Sequence, residues 1–317
     1  MSPPKTACVV LLLFALVSLA LGQTNITNID RAAAFSRDAK LLAAATDDRK
    51  IDIKDIHTGK VLRALTGHKD NINAVAFSPD GKLLASGGED FLIKLWDVTT
   101  GHELRTLPGH QNYVDSLSFT PDGKLLASAS ADSTWKVWDV KSGRMLHSVP
   151  SPAGWVHAIA FSPDGTQIAT ASADFALRVY DAKSFTLLLT LTWHTRYVFA
   201  LAWSHDGKHL ASASADRTAR VWDMTTGKSL ALGTESQGAV HVVAFSPDGR
   251  QIATAGEDEH LRIWESATGK LIRDVSGVPG LPLAITFSPD GKTIFCALDD
   301  KSVKKISLLQ SASDAAR

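Results

Sequence analysis

Residues 77–97 read FSPDGKLLASGGEDFLIKLWD. Pro79 presets φ at a turn position and Gly81 supplies the positive φ that closes a hairpin. A run of small and apolar residues, 83–87, follows and stops at Gly88-Glu89-Asp90. A second β-prone run, 92–96, ends at Trp96, and runs 71–77 and 103–107 flank the pair. Four short strands separated by turns account for this part of the chain.

The same pattern recurs along the chain. An aromatic residue followed by Ser/Thr-x-Asp stands at Phe35, Phe77, Phe119, Phe161, Trp203, Phe245 and Phe287, each step being 42 residues. In the same register come Asp48, Asp90, Asp132, Asp174, Asp216, Asp258 and Asp300. Six residues beyond these lie Lys54, Trp96, Trp138, Tyr180, Trp222, Trp264 and Ile306. Seven copies without insertions between anchors predict seven four-stranded antiparallel sheets. The first two strands of a copy are apolar or small on both faces, as between neighbouring sheets, and the fourth carries charges, as an outer edge should. An open stack would need polar capping repeats, which are absent, so the expected fold is an all-β, seven-bladed β-propeller.

Length alone, 317 residues, suggests about two domains. The repeat revises this to one propeller, residues 23–317, behind a leader, residues 1–22. Lys5 precedes the apolar run 9–21, which is shorter than the roughly 20 residues that span a bilayer. Ala20-Leu21-Gly22 then supplies the small residues a signal peptidase reads. The expectation is a cleaved secretory signal, no membrane span in the mature chain, and export to the periplasm or the exterior. Lys+Arg and Asp+Glu are equal at 33 each, which argues against bulk capture of nucleic acid or anionic membrane. Cys8 and Cys296 are the two cysteines, too few for a disulfide framework or a thiolate zinc site. Asn25-Ile26-Thr27 is a glycosylation sequon.

Gly67-His68, Gly109-His110, Trp96-Asp97, Trp138-Asp139 and Trp222-Asp223 are dipeptides at positions that resemble the WD-repeat family. The resemblance covers roughly residues 25–310. It implies a non-enzymatic platform for partner proteins, and it implies a hydrogen-bonded tetrad in each complete repeat. In this chain the tetrads would be His68, Ser86, Asp90 and Trp96; His110, Ser128, Asp132 and Trp138; and His194, Ser212, Asp216 and Trp222. The fourth and sixth copies keep Asp174 with Thr170 and Asp258 with Thr254 but lack the His, and the first and seventh retain only Asp48 and Asp300. Those two blades are expected to be the least rigid. A Ser, a His and an Asp converging three times could suggest hydrolysis, but a repeated, inward network is scaffold rather than a triad with an exposed nucleophile.

The family also implies three face positions per blade: six and four residues before the first-strand aromatic, and directly before the recurrent Asp. Blades three to five then offer Tyr113 with Asp115, Trp155 with His157, and Tyr197 with Phe199, beside Ala131, Ala173 and Ala215. The other arc offers Asp47, Glu89, Glu257 and Asp299. A protein or peptide partner is expected to place apolar or cationic groups over Tyr113, Trp155, His157, Tyr197 and Phe199, with a basic group reaching the acids. The competing view has the aromatics packing against one another and the acids solvated. Trp193, in place of the usual Gly before His194, reads as a change in blade-edge packing. No cofactor is implied, and His157 and His241 lack further ligands for a metal. The propeller is expected to be monomeric. The rival function class is a propeller hydrolase or lyase working at the channel mouth.

The outer strand of the last blade is open at this level. Residues 312–317, in register with it, are poor strand material. Residues 23–29 alternate Asn/Thr with Ile and are the favoured substitute, and a three-stranded last blade is the other possibility.

Overall fold

The computed structural model describes residues 32–232 and 236–308. Seven antiparallel sheets succeed one another along the chain. Six have four strands in sequence order, as in blade 2 with Ile72–Phe77, Leu83–Gly88, Ile93–Asp97 and Glu103–Leu107. The seventh has three among the described residues, Pro282–Phe287, Thr293–Leu298 and Val303–Ser307. Both candidate closing segments, 23–29 and 312–317, lie outside the described residues, as does the expected leader, 1–22. Each inner strand neighbours the next, and Pro282–Phe287 lies beside Ala33–Phe35, so the ring of a seven-bladed propeller is closed.

The repeated turn chemistry explains the hairpins. Between first and second strands the Ser or Thr of each copy donates to the Asp two residues on, as Ser78 Oγ does to Asp80 Oδ1 at 2.6 Å. The same Ser Oγ accepts from the Leu83 amide at 2.9 Å. Six copies place a left-handed glycine there, and the first uses Ala39 with φ 52°. Between second and third strands the residue after each recurrent Asp is also left-handed. Arg49, Phe91, Ser133, Phe175, Arg217, Glu259 and Lys301 have φ between 60° and 71°, without a glycine among them. The Asp of Trp96-Asp97 has a local role, its carboxylate accepting from Thr100 N at 2.7 Å to close the turn before the outer strand.

Second strands such as Leu125–Ser130 are almost wholly buried because a sheet covers each face. The core lies between blades: Ile93, Leu95 and Leu107 of blade 2 pack on Val114, Leu126 and Trp138 of blade 3. Each such Leu, Ile or Val, fully withdrawn from water, contributes about 1.5–3 kcal/mol. The seam between blades 7 and 1 is thinner. There the buried set is Leu42, Ala44 and Ala297, with Phe35 and Phe295 rings 6.4 Å apart beside it.

One irregularity recurs at the inner edge. In six blades the pairing of first and second strands skips a residue, leaving Asn73, Asp115, His157, Phe199, His241 and Leu283 as bulge residues. A bulge bends the strand and re-aims the extra side chain. These six side chains form a series around one mouth of the ring.

Candidate partner-binding face

The frame of the face is set by the polar network in blades 2, 3 and 5. His68 Nδ1 lies 2.9 Å from Asp90 Oδ2 and its Nε2 lies 2.7 Å from Ser86 Oγ, which accepts from Trp96 Nε1 at 2.8 Å. The indole can only donate, so the Ser hydroxyl proton is free for Nε2, and Nδ1–H points to the carboxylate. His110, Asp132, Ser128 and Trp138 repeat the arrangement, as do His194, Asp216, Ser212 and Trp222. Burial pushes the Asp132 carboxyl up, but hydrogen bonds from Thr134, the Gln111 amide and His110 overcome this and leave it lowered to about 2. Ser86, Ser128 and Ser212 are fully buried and already engaged on both sides. They hold blades together and offer no hydroxyl to a substrate.

Blades 4 and 6 replace the missing histidine in a way the residue pattern did not suggest. Arg178 reaches back four residues to Asp174, Nη1 to Oδ1 at 3.0 Å, with a second prong from Nη2 to Oδ2. Arg262 Nη1 donates to Asp258 Oδ2 at 2.7 Å, and Trp264 Nε1 donates to Thr254 Oγ1 at 2.8 Å. In blade 5, where His194 already holds the Asp, Arg220 turns instead to Ser229 and to the face of Trp193. Asp48 takes Thr46 and Lys50, and Asp300 takes the Ser302 amide.

The five aromatic and imidazole side chains do not make one continuous plate. Trp155 and His157 rings lie 4.3 Å apart and His157 and Tyr197 4.7 Å apart, tilted by 36° and 57°, so these three pack in sequence without lying flat on one another. Phe199 leaves that group and lies flat on His241, with centroids at 4.6 Å and an interplanar angle of 4°. Tyr113 meets Phe91 at 5.9 Å, and Phe175 meets Tyr197 edge-on at 5.2 Å. Phe91 and Phe175 are the left-handed turn residues of blades 2 and 4, and they extend the aromatic arc beyond the expected set. Mutual packing covers part of each ring, yet Trp155 remains 38% exposed and Tyr113 39%.

Asp115 organises this arc. Its carboxylate accepts from Trp155 Nε1 on blade 4 and from Asn73 Nδ2 on blade 2 at 3.3 Å. Burial and then the neighbouring Glu89 charge raise it, against those two hydrogen bonds, to about 7. Burial likewise lowers the His157 imidazole to about 4, so the ring is neutral at physiological pH.

The acids of the opposite arc have local partners. Asp47 lies 3.8 Å from Lys301 Nζ of blade 7, and Glu89 accepts from Asn71 Nδ2 at 3.3 Å. Glu257 meets His241 Nε2 at 3.2 Å and accepts from the Ala239 amide, and Asp299 accepts from the Leu281 amide at 3.0 Å. The arc is acidic but braced. Trp193, expected as a change in blade-edge packing, is 62% exposed and has Arg220 Cζ 5.5 Å from its ring centre. Among the described residues no group of three or more His, Cys, Asp or Glu side chains gathers as metal ligands would.

The fold and this network define a WD-repeat propeller. The family model described as WD domain, G-beta repeat, matches residues 59–97, 101–139, 143–181, 185–223 and 227–265, which together exceed half of the chain. The chain belongs to the WD-repeat family. Each match runs from the outer strand of one blade through the third strand of the next, so blades 1 and 7, which lack the tetrad, are matched least. A search among curated proteins finds no match to the chain.

Proposed function

We propose that the chain is an exported, non-enzymatic interaction platform that binds a protein or peptide segment on the face carrying the bulge residues. The observation that carries this reading is Trp155, a large aromatic left more than a third exposed while its indole N–H is pinned by Asp115. A rigid, amphipathic ring presented on a scaffold contributes interface energy at low entropic cost. The partner lies over Tyr113, Trp155, His157, Tyr197 and Phe199, with a basic group toward Asp47, Glu89, Glu257 and Asp299. Export rests on residues 1–22 acting as a cleaved signal, and N-terminal sequencing of the exported protein should begin at Gln23.

The test of the face is a pull-down from the native compartment with Trp155→Ala combined with Tyr197→Ala. Loss of a specific band at unchanged melting temperature supports the proposal. An unchanged partner profile at unchanged stability overturns it.

A further inference from the structure

The six bulge residues around the mouth include a single carboxylate, Asp115. An ionised carboxylate offers about four lone-pair sites. Asp115 engages two of them with neutral donors, the Trp155 indole and the Asn73 amide, the latter at a long 3.3 Å. Among the described residues no Lys, Arg or His side chain forms an ion pair with it. A half-covered carboxylate with acceptor capacity and no counter-charge is a position that a ligand's cation can complete.

The surroundings narrow the ligand. Trp155 is held edge-first to Asp115, leaving a third of the side chain in contact with solvent, and Tyr113 is exposed to a similar degree. Glu89 stands close enough to act on both Asp115 and the Tyr113 phenol, and Asp70 also acts on the phenol. Against the Trp155 ring, 4.3 Å away between centroids, His157 Nε2 is buried without a hydrogen-bond partner. A flat cation that donates several hydrogen bonds and stacks on aromatic faces suits this set better than a compact, strongly hydrated ammonium.

We propose that Asp115 anchors a subsite for the guanidinium of a partner's arginine, which pairs with the carboxylate and stacks against Trp155 and Tyr113. This rests on the interaction face proposed above and names the chemistry it reads. The subsite is also proton-gated: among the described residues the titratable groups around Asp115 are Glu89, Tyr113 and, against Trp155, the neutral His157, none of which supplies a positive charge. Acid neutralises the anchor and releases the arginine.

The experiment uses the full chain and three probes in calorimetric titration: acetyl-Ala-Arg-Ala-amide, its citrulline counterpart, and methylguanidine. At about pH 8 the arginine peptide should bind roughly tenfold or more tighter than the citrulline peptide. Asp115→Asn should remove that preference, and Trp155→Phe, which loses the indole donor, should weaken the arginine peptide severalfold. Lowering the pH to about 5.5 should weaken binding to the wild type and leave Asp115→Asn unaffected. Equal affinity for the arginine and citrulline peptides, or an undiminished preference in a folded Asp115→Asn, overturns the subsite. Should Asp115→Asn fail to fold, the wild-type pH series decides, and a flat series overturns the proposal. Methylguanidine binding as tightly as the peptide overturns the peptide source. Failure of the arginine peptide together with an altered partner profile in the Trp155/Tyr197 double variant removes this subsite and leaves the face reading intact.

Discussion

Arg178 grips Asp174 with both arms of its guanidinium, four residues upstream along the same hairpin, in a blade that has no histidine to do so. Arg178 is nearly buried and Asp174 is not, so the pair sits at a partly wet turn rather than in the dry core. Arg178→Leu should cost about 1–2 kcal/mol in urea unfolding, less than a fully buried pair would. Arg178→Lys should recover only part of it, since an ammonium cannot repeat the two-pronged geometry. Equal stability of the Leu and Lys variants would show that the second prong contributes nothing.

Ser128 stands between Trp138 and His110 and serves both. Ser128→Ala strands a buried indole N–H and a buried imidazole nitrogen, at about 2–4 kcal/mol for the two. Trp138→Phe removes one donor but leaves the Ser–His–Asp bonds, although it also loses packing volume. Denaturation of Trp138→Phe within a Ser128→Ala background separates these contributions: the double variant should be far less destabilised than the sum of the two single ones.

Asp115 makes stability depend on pH in the opposite sense from the tetrad carboxylates. Its folded pKa of about 7 lies above the usual value, so the folded chain holds the proton more readily than the unfolded one. Stability contributed through this group therefore falls as pH rises from about 4 to 7 and is flat above that. Asp115→Asn should melt several degrees above wild type at about pH 8, with the gap closing near pH 5. Asp132, lowered to about 2, behaves conversely: its contribution is present above about pH 4 and disappears as pH falls through 2. A melting-temperature difference that stays constant across this range would remove the account of Asp115.

Cys296 reports on the last blade, where it packs into the core shared with blade 6. Its side chain is completely buried and burial pushes the thiol up to about 12, so a thiol reagent reaches it only when the last blade opens. Maleimide labelling in native buffer should run faster than global unfolding, and hydrogen exchange in blades 1 and 7 should exceed that in blades 3 and 5. Labelling at the global unfolding rate, with equal protection in all blades, contradicts the prediction.

The parts of this protein that were legible in its residues are those fixed by residue identity at a constant offset. The turn Asp, the tetrad Ser and the third-strand Trp each do one thing in one register, so a 42-residue comparison finds them. Arg178 and Arg262 were not legible as histidine substitutes, because Arg220 occupies the same register in a blade with a histidine and turns elsewhere. Nor was the bulge, since Asp115, His157 and Phe199 differ in every chemical respect and share only a skipped pairing of the backbone. The division of the aromatic arc into a tilted Trp155–His157–Tyr197 group and a flat Phe199–His241 pair was not legible either, since the first group mixes bulged and unbulged positions.

The left-handed corner after each recurrent Asp has a consequence for how such a ring can change. That conformation costs a side-chain-bearing residue about 1 kcal/mol or more, most for β-branched residues, none of which occupies it here. Arginine, phenylalanine, serine, glutamate and lysine all occupy it here, one residue away from the carboxylates that lock the frame. Exchanging one of these residues for another thus rewrites the lettering on the rim while the wheel beneath keeps its dimensions, and new specificities can be sampled at nearly constant stability.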